Sequence, residues 1–334
     1  MSTIDLSQAL SDAGLPNLSV GGSQVASVVG VGFQSHLELY ADLVNGKAEK
    51  EPNAAMEWGT RLEPSVAKKY EDNHAEDGLF YISGERQLHP VDRWVRATAD
   101  RLAFRRLTEA PERGVEIKTA GHHMSEKWGP EGSQDVPLGY VAQVSWYQRF
   151  FDLDRWDLAV LIGGSDYREF QIPRDKGLED ILFEECRRFL IENVIPRKPP
   201  EPDGTEESAK ALARIFPKER DADVLVPTPG TAEYEAWSEM IQELHASQIE
   251  FDLAEDELTL AKNNLRLKLA DTPGVKTPYG SISWKKSKDG QATDWEGLAK
   301  ALLPFPSPDV SKLMLEKYTK PKPGPRVFLA TYPK

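Results

Sequence analysis

The chain has 334 residues, of which 40% are hydrophobic and 28% are charged, so a packed soluble core is expected. No apolar run approaches the roughly 20 residues that a membrane span needs, and the first residues lack the features of a secretory signal. The net charge of −13 disfavours a protein that binds nucleic acid by electrostatic attraction alone, although bound cations could reverse the local charge. The single cysteine, Cys186, allows no internal disulfide, which fits a reducing cytoplasm.

A Pro-rich stretch, residues 196–204, indicates a domain boundary because it cannot continue a helix and favours extended backbone. The sequence therefore predicts one domain over residues 1–204 and an accessory region over residues 205–334.

The first domain is predicted to be mixed α/β. Residues 22–45 predict two short helices around the Gly30–Gly32 break, and residues 56–74 a helix with a kink or a start at Pro64. The other predicted elements are strands over 94–104 and 114–119, a helix over about 135–151, strands over 157–163 and 167–172, and a helix over about 175–194 with Leu178, Ile181, Leu182, Phe189, Leu190 and Val194 inward.

In the accessory region, apolar residues recur from about 231 to 270 at a spacing close to 3.5 residues. Gln248, Glu255 and Lys262 interrupt one stripe of this repeat, so long helices that fold against each other are favoured over a free coiled-coil dimer. A short β-hairpin with Tyr279, Ile282 and Trp284 is expected before the basic residues that follow.

The first domain contains acidic residues on two neighbouring predicted strands. Asp100 follows Val95–Ala99, and Glu116 and Lys118 lie in the strand around Ile117. Because alternate residues of a strand share a face, Glu116 and Lys118 point the same way and Ile117 points into the core. Pairing of the two strands would place Asp100 beside Glu116.

Two neighbouring carboxylates repel each other, and a bound Mg²⁺ would remove that repulsion. Such an ion lowers the pKa of a bound water and polarises a phosphate, while Lys118 could orient or deprotonate the water or neutralise developing charge. Glu-x-Lys is also common on exposed strands as an ion pair, so these three residues alone leave both interpretations open.

The flanking segments favour the first interpretation. The chain resembles the PD-(D/E)XK nucleases, and within them the YqaJ-type viral recombinases, which are akin to the phage lambda exonuclease. The resemblance covers roughly residues 20–195 and rests, in order, on Gly21–Ser23 with the helix that follows, Gly59–Glu63, Ala99–Asp100, Glu116–Lys118, Trp128–Gly129 and Pro137–Tyr147.

The resemblance implies a role for each matching residue. Asp100, Glu116, the carbonyl of Ile117 and Glu63 would bind the metal, and Lys118 would be the catalytic lysine. Gln143 and Tyr147, one helical turn apart, would reach the same site. By the residues alone, Glu63 could instead be a solvated helix residue and Tyr147 a core aromatic.

Two residues are predicted to contact DNA. Ser23 matches a position near the DNA phosphate in the resembling enzymes, although it could equally be a helix N-cap. Those enzymes place an arginine shortly before this serine, whereas residues 1–22 contain no Lys or Arg. Arg61, Arg96 or Arg101 could take its place, and the spacing does not say which; Arg61 is the second residue that we predict to contact DNA.

The sequence therefore predicts a restriction-endonuclease-like α/β core, with a mixed central sheet flanked by helices, and a mainly helical C-terminal region with a small β-hairpin. As the resemblance implies, the function would be a Mg²⁺-dependent DNA exonuclease with two ions, for which Mn²⁺ could substitute. It would resect double-stranded DNA ends in phage-type recombination, in the cytoplasm of a bacterium or phage-infected cell. Its partners would be a single-strand annealing protein and further copies of the chain in a toroidal trimer.

Two alternatives use the same sequence features differently. An endonuclease of the same superfamily would use the same catalytic residues. A recombination or replication interaction protein would act through residues 205–334.

Overall fold

The computed structural model describes residues 5–32, 34–47, 54–219 and 224–284. The chain divides into two compact units, Met1–Glu219 and Arg220–Lys334. The first unit extends past the boundary expected at residue 204 because a helix over Glu206–Ile215 buries Ala211 against Leu37 and Ala41.

The helices of the first unit are α1 (Leu6–Asp12), α2 (Gly22–Val28), α3 (His36–Asn45), α4 (Ala54–Asn73), α5 (Leu138–Phe151), α6 (Lys176–Phe189) and α7 (Glu206–Ile215). The strands are β1 (Phe80–Ile82), β2 (Gln87–Leu88), β3 (Arg96–Ala97), β4 (Arg101–Phe104), β5 (Arg113–Ala120), β6 (Arg155–Ile162) and β7 (Asp166–Pro173). A π-helical segment, Leu190–Val194, continues α6.

The central sheet has five strands in the order β1-β4-β5-β6-β7. Strands β5 and β6 pair in parallel and the other neighbours are antiparallel, so the sheet is mixed, as expected. The parallel pair forms because α5 carries the chain back across the sheet between its two strands.

Helices cover both faces of this sheet. Val115 and Ile117 of β5 pack against Val66, Ala67 and Tyr70 of α4 on one face. On the other face, side chains of β6 and α5 join the largest apolar core. The predicted α/β class with a mixed, helix-flanked sheet is therefore confirmed, and Glu116 and Lys118 lie on the α5 side.

Several local predictions were wrong. The strand expected over 94–104 is divided, because β3 pairs with β2 outside the central sheet while β4 joins it, and Asp100 lies in the break. Helix α4 begins at Ala54 and continues through Pro64, so of the two alternatives expected at Pro64 the helix start is wrong. Ile181, expected to be inward, is 60% exposed.

The second unit contains α8 (Ala232–Leu269) and a hairpin of β8 (Gly274–Thr277) and β9 (Gly280–Ser283). The hairpin was predicted; Lys285, Lys286, Lys288 and the basic segment 317–322 lie outside the described residues. The predicted packing of several long helices is not seen between 224 and 284, where α8 is the one helix and its apolar residues Trp237, Ile241 and Leu244 are exposed.

Across the described ranges, no helix is both long enough and apolar enough to cross a bilayer.

Candidate active site

Asp100 reaches the centre of the sheet from the break between β3 and β4. Its Oδ2 accepts a 2.7 Å hydrogen bond from the main-chain N–H of Ile117. The pairing of Arg101 with Val115 sets this register, since it brings the residue before β4 alongside the middle of β5. The carboxylate of Asp100 is thereby fixed beside the strand that carries Glu116 and Lys118.

Glu116 is the centre of a cluster between β5 and α5. Its Oε1 accepts hydrogen bonds of 2.5 Å from Nζ of Lys118 and 2.5 Å from Nε2 of Gln143. The side chain is 1% exposed. Lys118 and Gln143 therefore hold one carboxylate oxygen in a fixed direction inside the protein.

The second carboxylate oxygen, Oε2 of Glu116, is buried and has no hydrogen-bond partner among the described residues. A buried oxygen of this kind is costly unless it binds a ligand. Burial raises the pKa of Glu116, and Lys118 opposes that rise. This oxygen is an available ligand for a cation.

Asp100 and Glu116 repel each other electrostatically. Burial, and after it the charge of Glu116, raise the pKa of Asp100 to about 8. Glu63 adds a smaller contribution of the same sign at both carboxyls. Asp100, Glu116 and Glu63 therefore bring several acidic groups together in a site from which water is largely excluded.

Lys118 provides the one ammonium group in contact with this cluster in the described part of the chain. Burial opposes its charge, but Glu116 and Asp100 raise its pKa. Its Nζ also lies 5.3 Å from the ring centroid of Tyr140, a cation–π distance. Lys118 is therefore charged, and its ammonium group contacts both Glu116 and the ring of Tyr140.

A cleft of about 580 Å³ opens beside this cluster and is lined by Gly59, Glu63, Ile117, Lys118 and others. Glu63 reaches the cleft from α4, on the first half of the helix. The prediction that Glu63, Asp100, Glu116 and Lys118 converge on one region is consistent with this geometry; their catalytic roles stay predictions.

Gln143 and Tyr147 share one face of α5, as their spacing predicts. Nε2 of Gln143 donates a 3.2 Å hydrogen bond to the hydroxyl of Tyr147. A Cβ built on Gly22 would lie 2.7 Å from the Tyr147 ring. The start of α2 therefore packs against the side chains that hold Glu116, and this position requires glycine.

The two predicted DNA-contacting residues lie outside the carboxylate cluster. Ser23 is exposed in the first turn of α2, but the N-cap is Gly21, whose N–H donates to Gln24 Oε1 at 3.0 Å, so the N-cap interpretation of Ser23 is wrong. Arg61 has a side chain that is 64% exposed and is paired with Glu57 at 2.8 Å. Contact of either residue with DNA stays a prediction.

Tyr140 is a further contact of Lys118 that was not predicted from the sequence. It lies one turn before Gln143 on α5 and contacts both Lys118 and the indole of Trp128, which stacks on it at 5.3 Å. The spacing from Gln143 was a usable signal, since residues three apart share a helix face. Trp128 itself is buried.

Over residues 5–32, 34–47, 54–219 and 224–284, no three His, Cys, Asp or Glu side chains are arranged to hold a metal ion. Asp100 and Glu116 are two side chains that offer carboxylate oxygens at this site. Hard cations such as Mg²⁺ prefer oxygen ligands and keep several water molecules, so the chemistry of this pair fits such an ion.

The fold and this cluster define an α/β protein with one buried carboxylate, one half-buried carboxylate and a lysine at a mixed sheet. Residues 15–149 match the family described as the YqaJ-like viral recombinase domain, so the resemblance predicted from the sequence is confirmed over this part of the chain. The uncharacterized protein YqaJ of Bacillus subtilis is 24% identical over 243 residues, which cover 70% of this chain and 72% of YqaJ.

Two solved structures are also similar. An alkaline exonuclease from Laribacter hongkongensis is 21% identical with a TM-score of 0.40, over 56% of this chain and 93% of that one. A phage-related exonuclease from Haemophilus somnus 129PT is 15% identical with a TM-score of 0.40, over 53% of this chain and 94% of that one.

Proposed function

We propose that the protein is a Mg²⁺-dependent deoxyribonuclease with a restriction-endonuclease-like core, which degrades linear double-stranded DNA from its ends. The proposal rests on a difference between the two carboxylate oxygens of Glu116. One of its oxygens is held by Lys118 and Gln143, and the other is buried without a partner beside Asp100. A structural ion pair would use both oxygens, whereas a metal ligand needs one left over.

Asp100, Glu116 and the carbonyl of Ile117 would hold Mg²⁺, with Glu63 assisting a second ion. Mn²⁺ would substitute because it accepts similar oxygen ligands. Bound Mg²⁺ would supply a water of lowered pKa and stabilise negative charge on the phosphate. Water molecules and phosphate oxygens would complete the coordination.

The chain's own residues would orient the reactants. The ammonium of Lys118 would donate to the attacking water or to the phosphate oxygens, where negative charge increases during the reaction. Gln143 would keep the Glu116 carboxylate from rotating, and Tyr140 would limit the movement of Lys118. The low exposure of the cluster would strengthen each of these electrostatic interactions.

Digestion from DNA ends is proposed from the family match, whose description names a viral recombinase. Resection would leave a single strand for an annealing protein to pair, in the cytoplasm of a bacterium or phage-infected cell. By analogy with the resembling enzymes, copies of the chain would form a toroidal trimer around the duplex.

A second candidate function, protein interaction through the second unit, is favoured by the exposed apolar residues of α8. Both functions can reside in one chain, since the carboxylate cluster lies wholly in the first unit. An endonuclease of the same superfamily would use the same cluster, so the substrate must separate these activities.

The test is digestion of end-labelled linear duplex and of covalently closed circular duplex by the full-length protein in Mg²⁺, in Mn²⁺ and in EDTA. We expect stepwise release from the linear ends, no cutting of the circle, and no activity in EDTA. Lys118→Ala should lower the rate by about 10²-fold or more. Lys68→Ala, which removes an exposed lysine of α4, is the matched control. Equal activity of the Lys118→Ala and wild-type proteins would contradict the proposal.

A further inference from the structure

Helix α8 of the second unit carries a long apolar stripe on its surface. An apolar residue recurs at every seventh position, and each of these side chains is between 39% and 63% exposed. The residues of this long stripe are Trp237, Leu244, Phe251, Leu258 and Leu265. A seven-residue repeat keeps a stripe turned toward a second helix that coils around the first. Between residues 224 and 284 α8 is the one helix, so this range supplies no second helix.

Mainly polar residues occupy the other positions that would face a second helix. They lie four residues after the members of the long stripe and are Ile241, Gln248, Glu255, Lys262 and Leu269. Glu255 and Lys262 are exposed, and within the described ranges neither forms an ion pair. In a parallel pair of α8 helices each would face its own copy, so like charges would meet at two successive levels of the contact. These two residues therefore disfavour a parallel pair.

The charges of α8 are also segregated along its length. All Asp and Glu residues of the helix lie between 233 and 257, and all its Lys and Arg residues lie between 262 and 268. The helix dipole favours this order, but its effect is confined to the first and last turns, whereas the acidic segment extends far beyond the first turn. A second α8 that runs in the opposite direction would bring its basic end beside this acidic segment. The order of charges therefore favours an antiparallel copy of the same helix.

One antiparallel register satisfies both the long stripe and the charges. It places Glu255 of one copy at the level of Leu258 of the other, and therefore Lys262 at the level of Phe251. Glu255 then lies four residues along the axis from Lys262 of the second copy, which is about 6 Å at 1.5 Å per residue. The two-fold symmetry of the pair repeats this contact. Two ion pairs thus take the place of the like-charge contacts that a parallel pair would make.

We propose that α8 is a self-association surface, which pairs in antiparallel orientation with α8 of a second copy of the chain. The proposal deepens the interaction role considered above for the second unit and does not rest on the nuclease activity. Because the contact has two-fold symmetry, it joins copies two at a time. It would therefore double the number of first units in an assembly, whichever oligomer the first unit forms by itself.

A second apolar stripe lies on the opposite side of α8. Its residues are Leu253, Leu260 and Leu267, which are between 59% and 81% exposed. This short stripe spans two seven-residue repeats, whereas the long stripe spans four, so it offers half the length of contact. We therefore assign self-association to the long stripe, and the short stripe provides a control.

The test exchanges the two charges and measures the mass of the full chain by analytical ultracentrifugation, without DNA or metal. Glu255→Lys and Lys262→Glu, each alone, would place like charges beside each other across the antiparallel contact. Each should raise the dissociation constant of the pair about 10-fold or more, since two attractive contacts become repulsive. At a concentration between the two constants, the mass should fall to half the wild-type value.

A mixture of the two single variants distinguishes a second copy from an unrelated partner. In the antiparallel register the charges of a Glu255→Lys chain and a Lys262→Glu chain complement each other, so an equimolar mixture should regain the wild-type mass. The double variant Glu255→Lys/Lys262→Glu should also regain it. In a parallel pair neither single variant would lower the mass, because each residue would still face a like charge.

Two variants of α8 are matched controls. Glu257→Lys makes the same charge change on the outer side of the helix, and Leu260→Glu introduces a charge into the short stripe. Both should keep the wild-type mass, whereas Phe251→Glu, in the long stripe, should halve it. Circular dichroism of each variant shows whether α8 is still helical.

Three results would overturn the proposal. The first is a wild-type mass no greater than that of Phe251→Glu at the highest soluble concentration. The second is a set of single charge variants with the wild-type mass, or an equimolar mixture of them that stays at half of it. The third is a halved mass for Leu260→Glu with an unchanged mass for Phe251→Glu, which would assign the contact to the short stripe.

The pairing of α8 and the nuclease activity can be refuted separately. Mg²⁺-dependent digestion by a chain whose charge variants never reassociate would refute the pairing and leave the nuclease. Reassociation of the mixed variants by a chain that digests no DNA would refute the nuclease and leave the pairing.

Discussion

The main-chain N–H of Ile117 donates a 2.7 Å hydrogen bond to the carboxylate of Asp100. This bond joins the break between β3 and β4 to the strand that carries Glu116 and Lys118. A main-chain donor cannot be removed by substituting Ile117, so the contact depends on strand register alone. The position of Asp100 is therefore determined by the pairing of β4 with β5.

The first prediction concerns Gln143. Gln143→Ala should reduce Mg²⁺-dependent DNA digestion by about 10- to 100-fold, because residues that orient a metal ligand typically contribute that much. Tyr147→Phe removes only the hydroxyl that accepts from Gln143, and should reduce the rate much less. The measurement is the initial rate of nucleotide release, with Tm recorded for each variant. Wild-type rates for a folded Gln143→Ala protein would show that the Gln143–Glu116 bond has no role in the reaction.

The second prediction concerns the pH dependence of the metal-free protein. Burial and Glu116 raise the pKa of Asp100 from 3.8 to about 8. The folded state therefore binds this proton more tightly than the unfolded state, and its stability should fall as the pH rises between these values. Asp100→Asn, which keeps an acceptor for Ile117, should remove this part of the decline in Tm between pH 5 and 8.

The measurement is thermal unfolding in EDTA over that pH range. Asp72→Asn, at an exposed position of α4, is the control and should follow the wild-type profile. Parallel profiles for all three proteins would show that Asp100 ionises normally. Addition of Mg²⁺ should raise the wild-type Tm most at the high end of the range, where a larger fraction of Asp100 is ionised.

The third prediction concerns the hydrogen bond between Tyr70 of α4 and Asp157 of β6. The hydroxyl of Tyr70 donates to the buried carboxylate of Asp157, which also accepts from Arg113 at 3.3 Å. Tyr70→Phe should lower the free energy of unfolding by about 1–3 kcal/mol, because a buried charged acceptor loses a donor.

Tyr81 is the matched control for Tyr70. The two rings are in contact, with centroids 5.7 Å apart. The hydroxyl of Tyr81 is buried without a hydrogen-bond partner in the described ranges, so Tyr81→Phe should be neutral or stabilising. Urea unfolding measures both changes. A larger loss for Tyr81→Phe than for Tyr70→Phe would contradict the assigned hydrogen bonds.

The fourth prediction concerns the glycine at the start of α2. Gly22→Ala should destabilise the protein by about 1–3 kcal/mol, because its Cβ would overlap the Tyr147 ring, 2.7 Å away. It should also lower activity, since Tyr147 contacts Gln143. Gly204→Ala, at a position with open space, should leave both properties unchanged. The readouts are denaturant unfolding and the digestion rate, and an unchanged Gly22→Ala protein would show that the helix start is not closely packed.

Much of the fold follows from local patterns. The turn between β6 and β7 and the break between α2 and α3 were predictable because glycine and polar residues interrupt regular apolar spacing there. The division of 94–104 was not, since no proline or glycine marks it and β3 follows β2 into a separate pair. The exposure of Ile181 was missed because helical periodicity does not specify how wide a face is covered.

The sequence by itself determined that Glu116 and Lys118 share a face and that Ile117 points the other way, because a strand has a period of two residues. Only the tertiary structure decided that Gln143, 27 residues further on, binds one oxygen of Glu116, and that the other oxygen is left buried without a partner. Alternation along a strand is a local property of the backbone. Which helix covers that strand, and how closely, depends on packing among residues that are distant in the chain.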